Sequence, residues 1–353
     1  MRAIRTFLII LLAPFAGILL SLHNSDDLGG FFNPEDLILN LSPVAAMVSQ
    51  VEASGQDIKD GSGLIQLSIK EQERQYKEQQ RLIQQLIKSS QEQKQLSSEI
   101  YERRLLERLG EPIDSFASER VEILLFEVRE NNYRGYMAKV KLHDPTALEV
   151  TLGQGQYGKA ETTSNAVSRT EGIFGVNGGG FYSFVQRGSQ MYLPIGTTVI
   201  DGSPVGDGFS PSRDNLFFSG FSNGELVGGV LNQKSELEQL SPQWGVSFVP
   251  VLMQDRMPQE IPSKWRNARH PRTVVGNFGN GDLMFMVIDG RQPGWSSGAT
   301  LEELQIQMLR LGVIDAYNLD GGGSSSMVFN GNLLNRPSDG HQRPVVTNIV
   351  ILP

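Results

Sequence analysis

The sequence predicts an α+β fold, mixed and antiparallel β-sheets packed with helices, preceded by an N-terminal membrane helix and a helical stalk. Three observations carry this. From residue 121 onward, short apolar runs recur between turn dipeptides such as Asn131-Asn132, Asp144-Pro145, Asp201-Gly202, Asn223-Gly224 and Asn330-Gly331, the rhythm of strands joined by tight turns. Beyond Gly63, a stretch to residue 109 is rich in Gln, Glu, Lys and Arg and contains no Gly or Pro, as a continuous helix requires. Ahead of both, residues 7–22 are apolar and lie between Arg2/Arg5 and Asp26/Asp27.

The N-terminal run predicts a single-pass segment at residues 1–24. Basic residues before it and acidic ones after place the N-terminus inside and the remainder outside the cytoplasm. The run is long for a signal-peptide core and slightly short for a spanning helix, and no small-x-small cleavage site follows. An uncleaved anchor at the cell membrane is therefore favoured over a removed signal and secretion. Residues 25–60 carry Gly29-Gly30, Asn33-Pro34, Ser42-Pro43 and Gly55 and read as a linker. Residues 61–110 read as the stalk. Its heptad track through Ile65, Ile69, Tyr76, Ile83, Leu86 and Ile100 is interrupted by Gln72, Gln79, Ser90, Gln93 and Ser97, so weak self-association is the most it supports. Gly110-Glu111-Pro112 ends it.

Residues 111–353 form the remaining domain. Strands are predicted at 121–128, 136–142 and 147–152, then a short helix near 162–168. A strand at 173–176 runs into Asn177-Gly178-Gly179-Gly180. Turns and short strands fill 192–251. The continuous apolar run 283–288 ends at Asp289-Gly290-Arg291, and residues 300–311 have helical spacing with Thr300 as N-cap and Gly312 as the stop. A second buried strand, 313–319, delivers Asp320-Gly321-Gly322-Gly323-Ser324-Ser325-Ser326, and a closing strand covers 345–352.

Three strand ends thus place a polar residue before glycine: Asn177, Asp289 and Asp320. Glycines in a row are kept where the backbone needs positive φ or a ligand approaches closely. Such a turn read alone is as well explained as a surface turn, but the surroundings shift the balance. Arg272, Arg291 and Arg343 stand in Pro- or Gly-flanked loops, and arginine suits bidentate phosphate binding. Paired carboxylates suit work on a glycosidic bond. Other chemistries fare worse. The net charge of −8 argues against nucleic acid as a partner, and the absence of cysteine removes thiolate chemistry and disulfides. No P-loop or GxSxG elbow is present, and the four histidines lack metal-ligand spacing. The sequence requires no cofactor, and it leaves open a divalent metal held by carboxylates from distant strands.

Taken together, VNGGGFY (176–182), HPRT (270–273), VIDGRQ (287–292), NLDGGGSSSM (318–327), NRPSDG (335–340) and RPV (343–345) resemble the phosphodiester glycosidase family. The resemblance covers roughly residues 121–353. Ser325 and Ser326 stand where the bacterial pattern has threonines, so the hydroxyls are kept. The resemblance implies hydrolysis of a sugar-1-phosphodiester at the C1–O bond, on an extracytoplasmic glycan or sugar-phosphate polymer. It implies Asp320 and Asp289 as the catalytic acids. Arg272, Arg291 and Arg343 would then hold phosphate, with Asn177, Gly178, Gly321, Gly322, Ser324 and Ser325 contacting the substrate. A non-catalytic polysaccharide-binding export factor and a metal-assisted phosphodiesterase cutting the P–O bond are the competing readings.

Overall fold

The computed structural model describes residues 59–353, so the predicted anchor and most of the linker lie outside the described residues. Among the described residues, no helix is long and apolar enough to cross a membrane. The chain divides into two compact units, and the second, Ser89–Pro353, holds the sheets and the candidate site.

The predicted stalk is one helix, Lys59–Leu109, ended by Gly110 at φ +81°. Its last turns belong to the second unit and are packed on the sheet. Leu105 is buried with Phe278, Met284 and Val313, the Tyr101 hydroxyl accepts from the Gly279 amide at 2.8 Å, and Glu102 pairs with the buried Lys139 at 2.8 Å. Asp282 holds the same ammonium at 2.5 Å. Cutting the chain at residue 110 would leave Lys139 buried with only one of its two carboxylates and expose the surface under Leu105. No local feature of the sequence marks this docking, since the terminal turns are as charged as the rest of the helix.

The α+β class holds. Eight strands form the main sheet, in the order Asp114–Ala117, Val121–Arg129, Arg134–Leu142, Leu283–Ile288, Arg272–Phe278, Val313–Leu319, Val251–Gln254 and Met257–Pro258. The 283–288 run is continuously apolar because both of its faces are buried. Leu283, Phe285 and Val287 enter one core, and Met284, Met286 and Ile288 enter another. The second core is closed by the helix Leu301–Leu311, whose Thr300 side chain and Glu303 form a reciprocal cap, with Gly312 left-handed at its end. The first core lies against two five-stranded sheets. One contains Met327–Phe329, Phe174–Asn177, Thr347–Ile351 and Leu148–Leu152, and the other contains Phe217–Ser222 and Trp244–Phe248.

The hairpins expected at Asp201-Gly202, Asn223-Gly224 and Asn330-Gly331 all form, each with positive φ at both residues. The hairpin Phe181–Gln186/Ser189–Pro194 and the helix Lys234–Leu240 were not anticipated. The hairpin's first strand is mostly exposed on both faces, so it lacks the apolar alternation that marks a half-buried strand.

Candidate active site

Strand order brings the motifs together. Arg272–Phe278 is the middle of three strands, with Arg272 opposite Ile288 on one side and Thr273 opposite Leu319 on the other. The two flanking strands are both antiparallel to the middle one, so they run the same way and release Asp289 and Asp320 at the same end of the sheet. Two strand spacings separate them, roughly 10 Å. The Phe174–Asn177 strand approaches the same end. The Asn177 amide donates to the Asp320 carbonyl at 2.6 Å, and the Asp320 N–H donates to the Gly178 carbonyl at 3.1 Å.

Asp320 is half-buried at the root of the turn. Burial pushes its carboxyl up to about 6, against the pull of the Ser324 hydroxyl, the Gly321 amide and the charge of Arg343. The Gly321 N–H donates to Oδ1 at 3.0 Å. The Ser324 hydroxyl lies within reach of the carboxylate but makes no well-aligned bond. The turn then passes between two guanidiniums. A side chain on Gly322, whose φ is +63°, would meet the Arg291 guanidinium at 3.3 Å, and one on Gly323 would overlap Arg343 and Asp339. Gly322 is required by its left-handed φ, whereas a side chain on Gly323 would meet only the movable ends of Asp339 and Arg343.

Arg291 and Arg343 are exposed. Arg291 donates to His270 Nδ1 at 3.1 Å. Since arginine cannot accept, this places the His270 proton on Nε2. Burial, and then the charges of Arg272 and Arg291, hold the imidazole below its ordinary range. Arg343 donates to Asp339 at 2.6 Å. Arg291 sits at φ +59°, a conformation that costs energy in a non-glycine residue and is found at functional loops.

The other residues singled out from the sequence serve differently. Asp289 is fully buried and accepts from Trp295 Nε1 at 2.8 Å, Asn335 Nδ2 at 3.1 Å and the Arg336 amide at 2.8 Å. Burial raises its carboxyl, and those three donors oppose the shift. It binds the Trp295 loop to the Asn335–Arg336 segment, and Arg134 and Arg336 stack on the Trp295 ring at 4.8 and 3.7 Å. Arg272 turns inward and donates to the Ala299 and Ala268 carbonyls, and burial lowers its guanidinium to about 10. It does not join the two exposed arginines. Asn177 is fully engaged, since its carbonyl oxygen also accepts from Thr273 and the Ser326 amide. Gly178 is packed on Thr347, where a side chain would collide with Oγ1. Ser324, Ser325 and Ser326 are buried with no partner on their hydroxyls.

Sequence reasoning passed over Trp295, Asn335, His270 and Asp339 as site residues. The HPRT and NRPSDG motifs contained three of them, and Trp295 carried no local signal. Among the described residues, no group of three or more His, Cys, Asp or Glu stands close enough together to hold a metal ion. A cavity of about 380 Å³ lies elsewhere, beside the Leu148–Leu152 strand, lined by Glu149, Thr151, Arg169, Asp201 and Trp244 among others.

An acid raised by burial thus stands on a glycine turn flanked by two exposed guanidiniums. Residues 170–352, a little over half of the chain, match the family model described as phosphodiester glycosidase, and the chain belongs to that family. It is 29% identical over 199 residues to the SPbeta prophage-derived uncharacterized protein YomE of Bacillus subtilis, covering 54% of this chain and 29% of that protein. It is 26% identical over 197 residues to the N-acetylglucosamine-1-phosphodiester alpha-N-acetylglucosaminidase of Bos taurus, covering 51% of this chain and 36% of that one. The chain therefore spans about a third of the length of these curated relatives. The zebrafish N-acetylglucosamine-1-phosphodiester alpha-N-acetylglucosaminidase catalytic domain, auto-inhibited by its pro-peptide, superposes with a TM-score of 0.55 at 22% identity, over 68% of this chain and 88% of that one. That likeness shows a shared fold.

Proposed function

We propose that this chain hydrolyses a sugar-1-phosphodiester, cleaving the C1–O bond to release the sugar and a phosphomonoester. The observation that carries the reading is Asp320, raised to about 6 and placed on the turn between Arg291 and Arg343. A departing phosphomonoester has a second pKa near 6, so it needs charge neutralisation more than a proton. Two exposed guanidiniums supply that. Asp320 titrates where an acid/base group in neutral solution is useful. His270, neutral and donating through Nε2, adds an uncharged donor beside Arg291. Asp289, Asn177 and Arg272 hold these groups in place.

The substrate class we favour is a hexosamine-1-phosphodiester of the GlcNAc type within an extracytoplasmic polysaccharide or wall phosphopolymer. The apolar segment at residues 7–22 would anchor the chain at the membrane with residues 111–353 outside. Self-association through the polar stalk would be weak. A C-terminal reporter fusion active only in the cytoplasm would overturn that topology.

The reaction is tested by incubating the full chain with a GlcNAc-1-phosphate methyl diester in H₂¹⁸O and weighing the products. Label in the sugar is expected. Label in the phosphate would mean P–O cleavage and would replace the glycosidase by a phosphodiesterase.

A further inference from the structure

Of the two aspartates that follow the buried strands, only Asp320 stands on the arginine-flanked turn, whereas glycoside hydrolysis of the ordinary kind uses two carboxylates. Asp289 cannot be the other: it is fully buried and three donors occupy its oxygens. A different carboxylate stands against the same turn. Asp339 lies at the tip of a tight turn closed by the Gly340 N–H donating to the Pro337 carbonyl at 3.0 Å. The root of that turn is clamped. Asn335 donates to Asp289 and the Ser325 carbonyl and accepts from the Met327 amide, and Gln292 donates to the Arg336 carbonyl at 2.7 Å.

The clamp sets the Asp339 carboxylate directly on Gly323, where a Cβ would overlap Asp339 Oδ2. Gly323 lies between Ser324 and Gly321, whose amide donates to Asp320. The two carboxylates thus straddle one turn, and the Arg343 charge acts on both. The Asp339 side chain keeps 32% exposure, so a ligand can reach it.

We propose that Asp339 is the second carboxylate of the hydrolytic centre, the nucleophile that attacks the anomeric carbon, with Asp320 as its proton-carrying partner. This rests on the hydrolase reading above. The environments divide the labour. The Arg343 guanidinium holds Asp339 below the usual carboxylate range, whereas burial carries Asp320 up to about 6. Titratable pairs pushed apart in this way mark acid and base roles.

In the first step an Asp339 oxygen bonds to C1 and the C1–O bond breaks. The electron pair leaves with the phosphomonoester, whose charge Arg291 meets. In the second, a water oxygen bonds to C1, Asp320 takes the proton, and the Asp339–C1 bond breaks. Two displacements return the starting configuration. Ser338 and Arg343, which donate to Oδ1 and Oδ2, hold the carboxylate in aim.

The test uses the full chain and a GlcNAc-1-phosphate methyl diester of defined anomeric configuration. Asp339→Asn should lower kcat by about a thousandfold or more, with an unfolding midpoint close to wild type. Asp339→Gly in sodium azide should regain turnover and form a glycosyl azide of opposite configuration. Loss of a purely structural ion pair would not be rescued in that way. The first sugar released by the wild type, followed by NMR, should retain the substrate's configuration. An inverted sugar, a wild-type kcat in Asp339→Asn, or no azide product would each overturn the assignment. If the wild type itself releases no sugar, the hydrolase reading is what has failed.

Discussion

Asp289 and Asp320 share one sequence grammar, an apolar strand, an aspartate, then glycine, and the fold gives them opposite surroundings. Asp289 is sealed and bonded to three donors from the Trp295 loop and the 335–336 segment. Asp320 has one backbone amide well aligned on its carboxylate and two exposed arginines on its turn. Three donors oppose the burial of the first charge, so the residue can serve as a rivet. The second is left under-satisfied, which is costly for stability and useful for chemistry. The arginines divide in the same way. Arg272 is occupied by carbonyls inside the fold, whereas Arg291 and Arg343 stand outside on the glycines.

Removing the Asp320 charge should have the strongest consequences. Asp320→Asn should reduce kcat by about a thousandfold or more while circular dichroism stays unchanged. The same variant should be more stable than wild type at neutral pH. The folded-state pKa near 6 lies above the ordinary 3.8, so the folded chain holds this proton more tightly. That contribution to stability is fully present below 3.8 and is lost as pH rises through 6. Denaturant midpoints should therefore favour the variant at pH 7.5 and converge at pH 4. A midpoint below wild type at pH 7.5 would show that the Asp320 charge is well satisfied, and the contrast with Asp289 would collapse.

Asp289→Asn should do the reverse. The new amide would face Trp295, Asn335 and Arg336, all donors, and leave part of that network unpaired. The cost is about 3 kcal/mol in urea unfolding, with activity per folded molecule reduced less than in Asp320→Asn. A more modest effect is expected from Gly323→Ala. Its Cβ would displace the ends of two flexible side chains, Asp339 and Arg343, so stability should change by less than about 1 kcal/mol. Misplacing those groups should cost about ten- to a hundredfold in kcat/KM. Smallest of all is Ser325→Ala. This removes a buried hydroxyl that has no partner, and thermal unfolding should move by less than about 0.5 kcal/mol in either direction.

From the sequence alone, the α+β class, the strand ends, the hairpin dipeptides and the capped helix at 301–311 were legible. Each is a local property: apolar runs, turn chemistry and caps are written within a few residues of where they act. The placement of Asp320 and its glycines at the end of a buried strand was legible for the same reason. Which aspartate is a rivet and which is open was not, because the answer lies in partners far along the chain. Asp289 is closed by Trp295, Asn335 and Arg336. Arg272 is turned inward by carbonyls at 268 and 299, and Asp339 reaches the turn only because Asn335 is pinned beneath it. The docking of Leu105 and Glu102 was hidden likewise, since one buried leucine and one paired glutamate look like any others on a charged helix. Burial and hydrogen-bond satisfaction are set by what packs on a residue, and tertiary structure alone decides that.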